Sequence, residues 1–544
     1  MHAITECLYK LVFIQSDTGT SQEREMAAVI YEMIKANPYF TEHPEYYGTY
    51  MKNDLLDRPV VWALRRGTTK KTIILMGHYD AVDIEPYGIY KEYALDPLNL
   101  KVKFSEGKMG NDEFKDHLND DNWAFGRGVG DMKAGIAINM NTLFTNSIEE
   151  VNILFVAVPD EENMSSGAIM SIPLYLELQE RFNLDYKLCI VAEPEEHGIN
   201  ENIDFIGGSM GKFMPIIMAK GILTHAAYLM KGLNSGFIIS EIIRNVELSI
   251  SMIAFKNGIY SQPPTVQLFR DLKANYDVSV PEYSVALFNF MFLKTKSPTD
   301  YIQSIRDISE KALDYTISKY NETFDYLLGQ NLINEEARLI FKPSVMSLSE
   351  LEQHIIQRKL EYKVFKDALD KNITEKVQSK AMTLQTASIH MIKSLLEYSE
   401  ITEPTVIIGI SPPYYPAVAN DTIPDKNADI FFQGVSEKLQ KRYGFGCKHV
   451  YSNLGMTDIS YFSCTDPIGE REFLNNMTVP PAIYNVPVEK IAKLNIPTFK
   501  VGPNSRDIHK IGERVYLPDV EERIPYIFQL IIENLAKENT NANK

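Results

Sequence analysis

Three apolar runs in this 544-residue chain end on groups that bind metals or move protons. Residues 72–76 (TIILM) lead into Gly77-His78-Tyr79-Asp80, and residues 151–158 (VNILFVAV) into Pro159-Asp160-Glu161-Glu162. Residues 186–192 (YKLCIVA) lead into Glu193-Pro194. Asp131 and His509 stand in two further polar segments. A two-metal hydrolytic site needs one anionic ligand shared by both ions, two more ligands for each, and a base that is not a ligand. His78 and Glu193 would serve one ion, Glu162 and His509 the other, and Asp131 would bridge. Three carboxylates and two neutral imidazoles set three negative charges against the four positive charges of two divalent ions. Such a site can sit in a low-dielectric cleft without a large unpaired charge. Neighbouring residues at a strand end point in different directions, which assigns Glu162 as ligand and Glu161 as general base. Asp80, two residues beyond His78, is placed to accept the second imidazole N–H and fix the ring.

Singly, each group has a plainer reading. His78 would be a structural histidine, Glu161-Glu162 a solvated pair and Glu193 a loop acid. The argument for a site is their joint occurrence at the ends of strands. Continuous β-branched runs read as strands buried on both faces, as in a parallel sheet. Helical stretches at 134–144 and 168–181 lie between them, which makes the class α/β. In open α/β sheets, ligands bind beyond the carboxyl ends of the strands. Three distant segments therefore deliver acid and imidazole groups to one edge of one sheet.

The chain changes character after residue 205. Gly207, Gly208 and Gly221 punctuate strand-like runs, 236–255 and 299–320 read as helices, and 285–293 (VALFNFMFL) reads as a strand. Residues 320–400 are charged and helical without a catalytic signature, and an α/β pattern resumes at about 403. The expected organisation is a catalytic domain of residues 1–205 and 401–544, interrupted by an inserted domain of residues 206–400 whose last part, about 320–400, is extra helix.

The composition is that of a soluble globular protein, 45% apolar and 23% charged. A net charge of −17 argues against a nucleic-acid partner, because phosphates would meet no basic surface. Four separated cysteines with no CxxC pair suggest a reducing compartment. No apolar run approaches the ~20 residues of a membrane span, and residues 8–14 do not read as a signal peptide. A cytoplasmic location without a membrane partner is expected.

The phrases GHYD (77–80), GRGVGDMKAG (126–135), DEE (160–162), AEP (192–194) and GPNSRDIH (502–509), with ERV at 513–515, resemble the M20 metallopeptidase family in order and wording. That family comprises dizinc carboxypeptidases, dipeptidases, aminoacylases and related deacylases. The likeness covers the chain apart from 320–400, and GRGVGDMKAG is its most specific element. SPPYYP (411–416) and GMTDISYF (455–462) resemble the RocB-like arginine-utilisation branch. The resemblance implies a catalytic domain built on a central, mostly parallel sheet, with an inserted α+β lid domain. It implies two divalent ions, zinc first with cobalt or manganese as alternatives, and a cis bond between Asp131 and Met132. Gly221-Ile222-Leu223-Thr224-His225 matches the lid's Gly-x-x-x-His element. By that match His225 polarises the scissile carbonyl; the plainer reading is that it caps a turn. Asp458 resembles a family element; the plainer reading is that it only braces a loop. The lid's Asp-x-Arg is replaced at Asn289-Phe290-Met291, which leaves the residue that would bind a substrate carboxylate unassigned. The expected substrates are small peptides or N-acyl amino acids, which the RocB likeness places in arginine or amino-acid catabolism, with a homodimer through the lid. The alternative is a catalytically retired peptidase fold that binds an amino acid or a partner.

Overall fold

The computed structural model describes residues 2–52, 54–107, 110–423 and 428–538. The chain forms two compact units, one of residues 1–209, 418–465 and 489–544, the other of residues 210–417 and 466–488.

The first unit is built on an eight-stranded sheet. In spatial order its strands are Tyr47–Tyr50, Val60–Arg65, Asn152–Val158, Lys71–His78, Asp185–Val191, Thr498–Lys500, Ile203–Ile206 and Cys447–Val450. The four strands from Asn152–Val158 to Thr498–Lys500 are mutually parallel. The strands Tyr47–Tyr50 and Val60–Arg65 run antiparallel at one side.

Why the central runs lack alternation is visible at Met76 and Gly77. The Tyr175 hydroxyl, from helix Ser166–Phe182, lies 3.6 Å from the Met76 sulfur. A Cβ on Gly77 would meet Met132 and Ile136, the latter on helix Ala134–Thr145. Successive side chains of a strand face opposite ways, so helices cover both faces and both faces must be apolar. The apolar face of helix Ile524–Lys537 packs against the same sheet and against Ala134–Thr145. Two close approaches fix the end of the strand Asp185–Val191. A Cβ at Gly135 would stand 2.3 Å from the Ala192 carbonyl oxygen, and one at Gly502 only 2.0 Å from that of Glu193. Only glycine permits either approach.

The second unit has a five-stranded sheet in the order Thr265–Asp271, Tyr283–Phe292, Gly211–Lys220, Thr405–Tyr415, Ser344–Ser347. Helices Ser235–Val246, Pro298–Gly329 and Leu384–Ser399 pack on it. The sequence pattern places the inserted unit at residues 206–400. In the structure the strand Thr405–Tyr415 belongs to it as well, because that strand is an antiparallel partner of Gly211–Lys220. Residues 466–488 join it because Thr478 donates its N–H to Ile410 and Phe473 packs on Tyr414. The helix expected over 236–255 stops at Val246, where Leu248 turns to φ 55°. The charged 320–400 segment contributes the end of the 32-residue helix Pro298–Gly329, a short 3-10 turn at Glu335–Ala337, three further α-helices and the edge strand Ser344–Ser347.

The Asp131–Met132 peptide bond is cis. All four cysteines are free thiols. Among the described residues no helix is long and apolar enough to cross a membrane.

Candidate active site

His78 closes the strand Lys71–His78 and is buried. Its Nδ1 lies 3.1 Å from the backbone carbonyl of Asp80 and 3.5 Å from the Asp80 carboxylate. The carbonyl is thus the nearer acceptor for the second N–H, where the sequence had suggested the carboxylate. The carboxylate has other work: its two oxygens accept the N–H groups of Glu161 at 3.1 Å and Glu162 at 3.2 Å. With Nδ1–H turned to the carbonyl, Nε2 is the nitrogen free to ligate. It points at Asp131 Oδ1, 3.0 Å away.

Asp131 is presented by a polar loop that a buried ion pair holds in place. Glu513 accepts the N–H groups of Gly130 and Asp131 at 3.2 and 3.3 Å. Arg127 binds Glu513 at 2.5 Å and reaches the His509 carbonyl at 3.2 Å. One arginine–glutamate pair therefore ties the Asp131 loop to the His509 loop. His509 has φ 65°, a left-handed conformation uncommon for any residue but glycine and frequent at functional sites. Its Nε2 lies 2.8 Å from Glu162 and 3.4 Å from Asp131 Oδ2.

Glu161 and Glu162 sit on a turn beyond the strand Asn152–Val158, not on extended chain. The expectation that they point apart does not describe this turn. Donor atoms of His78, Glu161 and Glu162 lie within 4.8 Å of one another, and so do those of Asp131, Glu162 and His509. What separates the two glutamates is that Glu162 engages His509. Glu193 stands outside both sets, with Lys500 3.7 Å from one carboxylate oxygen, while the other, Oε1, is buried without a hydrogen-bond partner. Lys500 also binds Glu195 at 2.6 Å.

The electrostatics of this cluster call for added positive charge. Burial raises Glu193 to about 8 and Asp458 to about 7. Burial also lifts Glu161 well above the usual range; His78 offsets part of this, while Glu193, Asp458 and Glu162 add to it. Glu162 is raised by burial and then by Asp131, against the pull of His509. Burial opposes the charge on His78, yet hydrogen bonds to Asp131 and Asp80 outweigh it and raise its pKa. His509 is lifted to about 10 by its bonds to Asp131 and Glu162. Buried carboxylates with raised pKa values, imidazoles whose pKa values those carboxylates raise, and a Glu193 oxygen without a hydrogen-bond partner form a donor set that a divalent cation would satisfy.

His225 belongs to the second unit. It caps the short helix Ala226–Lys231, its Nδ1 accepting the Ala227 N–H at 3.0 Å. Asn289, Phe290 and Met291 lie on the strand Tyr283–Phe292. Asp458 opens the short helix Asp458–Tyr461 in the first unit, buried, with Oδ1 unpaired. Sequence reasoning passed over Glu23, Arg58 and Lys500, each an isolated charge in an otherwise ordinary segment.

The model of Peptidase family M20/M25/M40 matches residues 74–533. Two Bacillus subtilis proteins are similar to nearly the whole chain. The uncharacterized protein YqjN is 29% identical, over 99% of this chain and 97% of its own length. Protein RocB is 27% identical, over 95% and 92%. The fold is also similar to that of the M20 family metallo-carboxypeptidase Sso-CP2 from Sulfolobus solfataricus, with TM-score 0.50 at 12% identity, over 98% of this chain and 99% of that one.

Proposed function

Because the chain belongs to peptidase family M20/M25/M40, we propose that it hydrolyses peptide or N-acyl amide bonds of small amino-acid-derived substrates with two divalent ions, zinc by preference. The observation that carries this reading is the convergence of His78, Asp131, Glu162 and His509, with both Asp131 oxygens facing a different histidine. Asp131 would bridge, His78 and Glu193 would hold one ion, and Glu162 and His509 the other.

Ions bound there would polarise the scissile carbonyl and acidify a water. Glu161 takes the proton from the attacking water and delivers it to the leaving nitrogen, as the C–O bond forms and the C–N bond breaks. Asp80 keeps the Glu161–Glu162 turn in place through two N–H bonds and steers His78 through its carbonyl. By the family resemblance His225 is the candidate to supply a hydrogen bond to the carbonyl oxygen as charge develops there. The resemblance of SPPYYP and GMTDISYF to the RocB-like arginine-utilisation branch favours substrates of arginine or amino-acid catabolism, with a homodimer through the inserted unit.

The test is a panel of free dipeptides and N-acyl amino acids, each with and without a basic side chain. Chelator-sensitive release of an amino acid from any member supports the reading. Preference for blocked over free amino ends identifies a deacylase. No hydrolysis of any member by metal-loaded enzyme would count against it.

A further inference from the structure

Three consecutive backbone N–H groups, those of Asp160, Glu161 and Glu162, all donate to buried carboxylates. Asp80 takes the last two. The first goes to Glu23 Oε2 at 2.9 Å, across 137 residues of sequence. Glu23 lies in the first turn of helix Gln22–Lys35 and is fully buried. Its other oxygen binds Arg58 at 2.7 Å and the Gly19 N–H at 2.8 Å. Arg58 is buried too, and the same Nη1 reaches Asp160 Oδ1 at 2.7 Å. Its Nη2 and Nε bind Asp54 at 2.8 and 3.1 Å, and Nη2 also reaches Ser166. Ser166 in turn donates to Asp160 Oδ2 at 2.6 Å. One guanidinium thus gathers the carboxylates of Glu23, Asp54 and Asp160; the last belongs to the residue directly before Glu161, and the first accepts that residue's N–H.

We propose that Arg58, through its pair with Glu23, is a positioning residue for the Glu161–Glu162 turn. This rests on the roles given above to Glu161 and Glu162. Asp160 has φ 68°, a conformation that costs energy and persists where the surroundings over-determine it. Here the surroundings are Glu23 on its N–H and Arg58 and Ser166 on its carboxylate. Without the guanidinium, Glu23, Asp54 and Asp160 would share a buried space with their charges uncompensated, and the turn would have to shift to let in water or protons. A shift of that turn moves both carboxylates relative to His78 and His509. Lysine would not substitute, because one ammonium cannot reproduce a planar fork that serves Glu23 and Asp160 from one nitrogen and Asp54 from two.

The experiment compares wild type, Arg58→Lys, Arg58→Met and Glu23→Gln, below each variant's melting temperature. Zn2+ is titrated into each chelator-stripped protein, and kcat and KM are measured on the best substrate of the panel. The expected result is a loss of about 10–100-fold in kcat with little change in KM, and a similar weakening of one of the two metal equivalents. Arg58→Lys should show the loss although it keeps the charge. A lowered melting temperature with wild-type kcat and wild-type affinity for both equivalents would make Arg58 a stabilising residue only and overturn the proposal. If neither Arg58 variant folds, Glu23→Gln decides by the same two readouts. Wild type that takes up no zinc would instead overturn the metal reading of the site itself.

Discussion

His509 and Glu162 meet at 2.8 Å although 347 residues separate them. The contact joins the turn beyond one parallel strand to a loop near the end of the chain. It has the form of an imidazolium–carboxylate pair, because the bonds to Asp131 and Glu162 raise His509 to about 10.

Metal binding should therefore release protons. A raised histidine pKa means that His509 is charged at neutral pH without metal, and it must lose its proton to ligate. Glu193, raised to about 8, adds to the effect. The sign is that affinity rises with pH, up to about 10 where His509 is already deprotonated. Calorimetric titration of Zn2+ at pH 7 in buffers of different ionisation enthalpy should show about one or more protons released per chain. Heats that do not depend on the buffer would contradict this.

Glu161→Gln and Glu162→Gln should part company. The first removes the base and should keep both metal equivalents while kcat falls by about 10²–10⁴-fold. The second removes a ligand and should lose one equivalent. Wild-type turnover in Glu161→Gln would reverse the assignment, which the sharing of one donor cluster by both glutamates makes a real contest.

Arg127→Met should be destabilising by about 3–5 kcal/mol, because it leaves Glu513 buried without its partner. The same change should weaken metal binding, since Glu513 and Arg127 tie the Asp131 loop to the His509 loop. Melting and zinc titration of Arg127→Met beside Glu513→Gln test this. Lost stability with unaltered zinc affinity would leave the pair a fold element alone.

His225→Ala separates two roles. A carbonyl-polarising group should cost about 10²–10³-fold in kcat with metal content unchanged. A turn cap should cost about 1 kcal/mol of stability and nothing in kcat. Asparagine at 225 keeps a capping oxygen and serves as the control.

The strand ends carrying His78, Glu161, Glu162 and Glu193 were legible because fully buried parallel strands leave long apolar runs, and a polar group that terminates such a run stands out. The GRGVGDMKAG phrase carried the family. Less legible was whatever depends on which atom faces where. Asp80 was recognised as a partner of His78, but its backbone carbonyl is the nearer contact to the imidazole, and its carboxylate holds the Glu161–Glu162 turn as well. Glu23 and Arg58 left no trace, because an acid in the first turn of a helix and an arginine before a strand are ordinary in a soluble chain. Only the fold brings them to Asp160. The return of residues 466–488 to the second unit was hidden for the same reason, since it depends on pairing with Ile410 in the middle of the strand Thr405–Tyr415.

The most direct test of the central claim is metal content by elemental analysis of protein purified without chelator, read beside turnover of the substrate panel. The account predicts about two zinc or similar ions per chain, and turnover that is lost with chelator and returns with added metal. Protein that takes up no metal even on reconstitution would contradict it and leave a peptidase fold retired to binding.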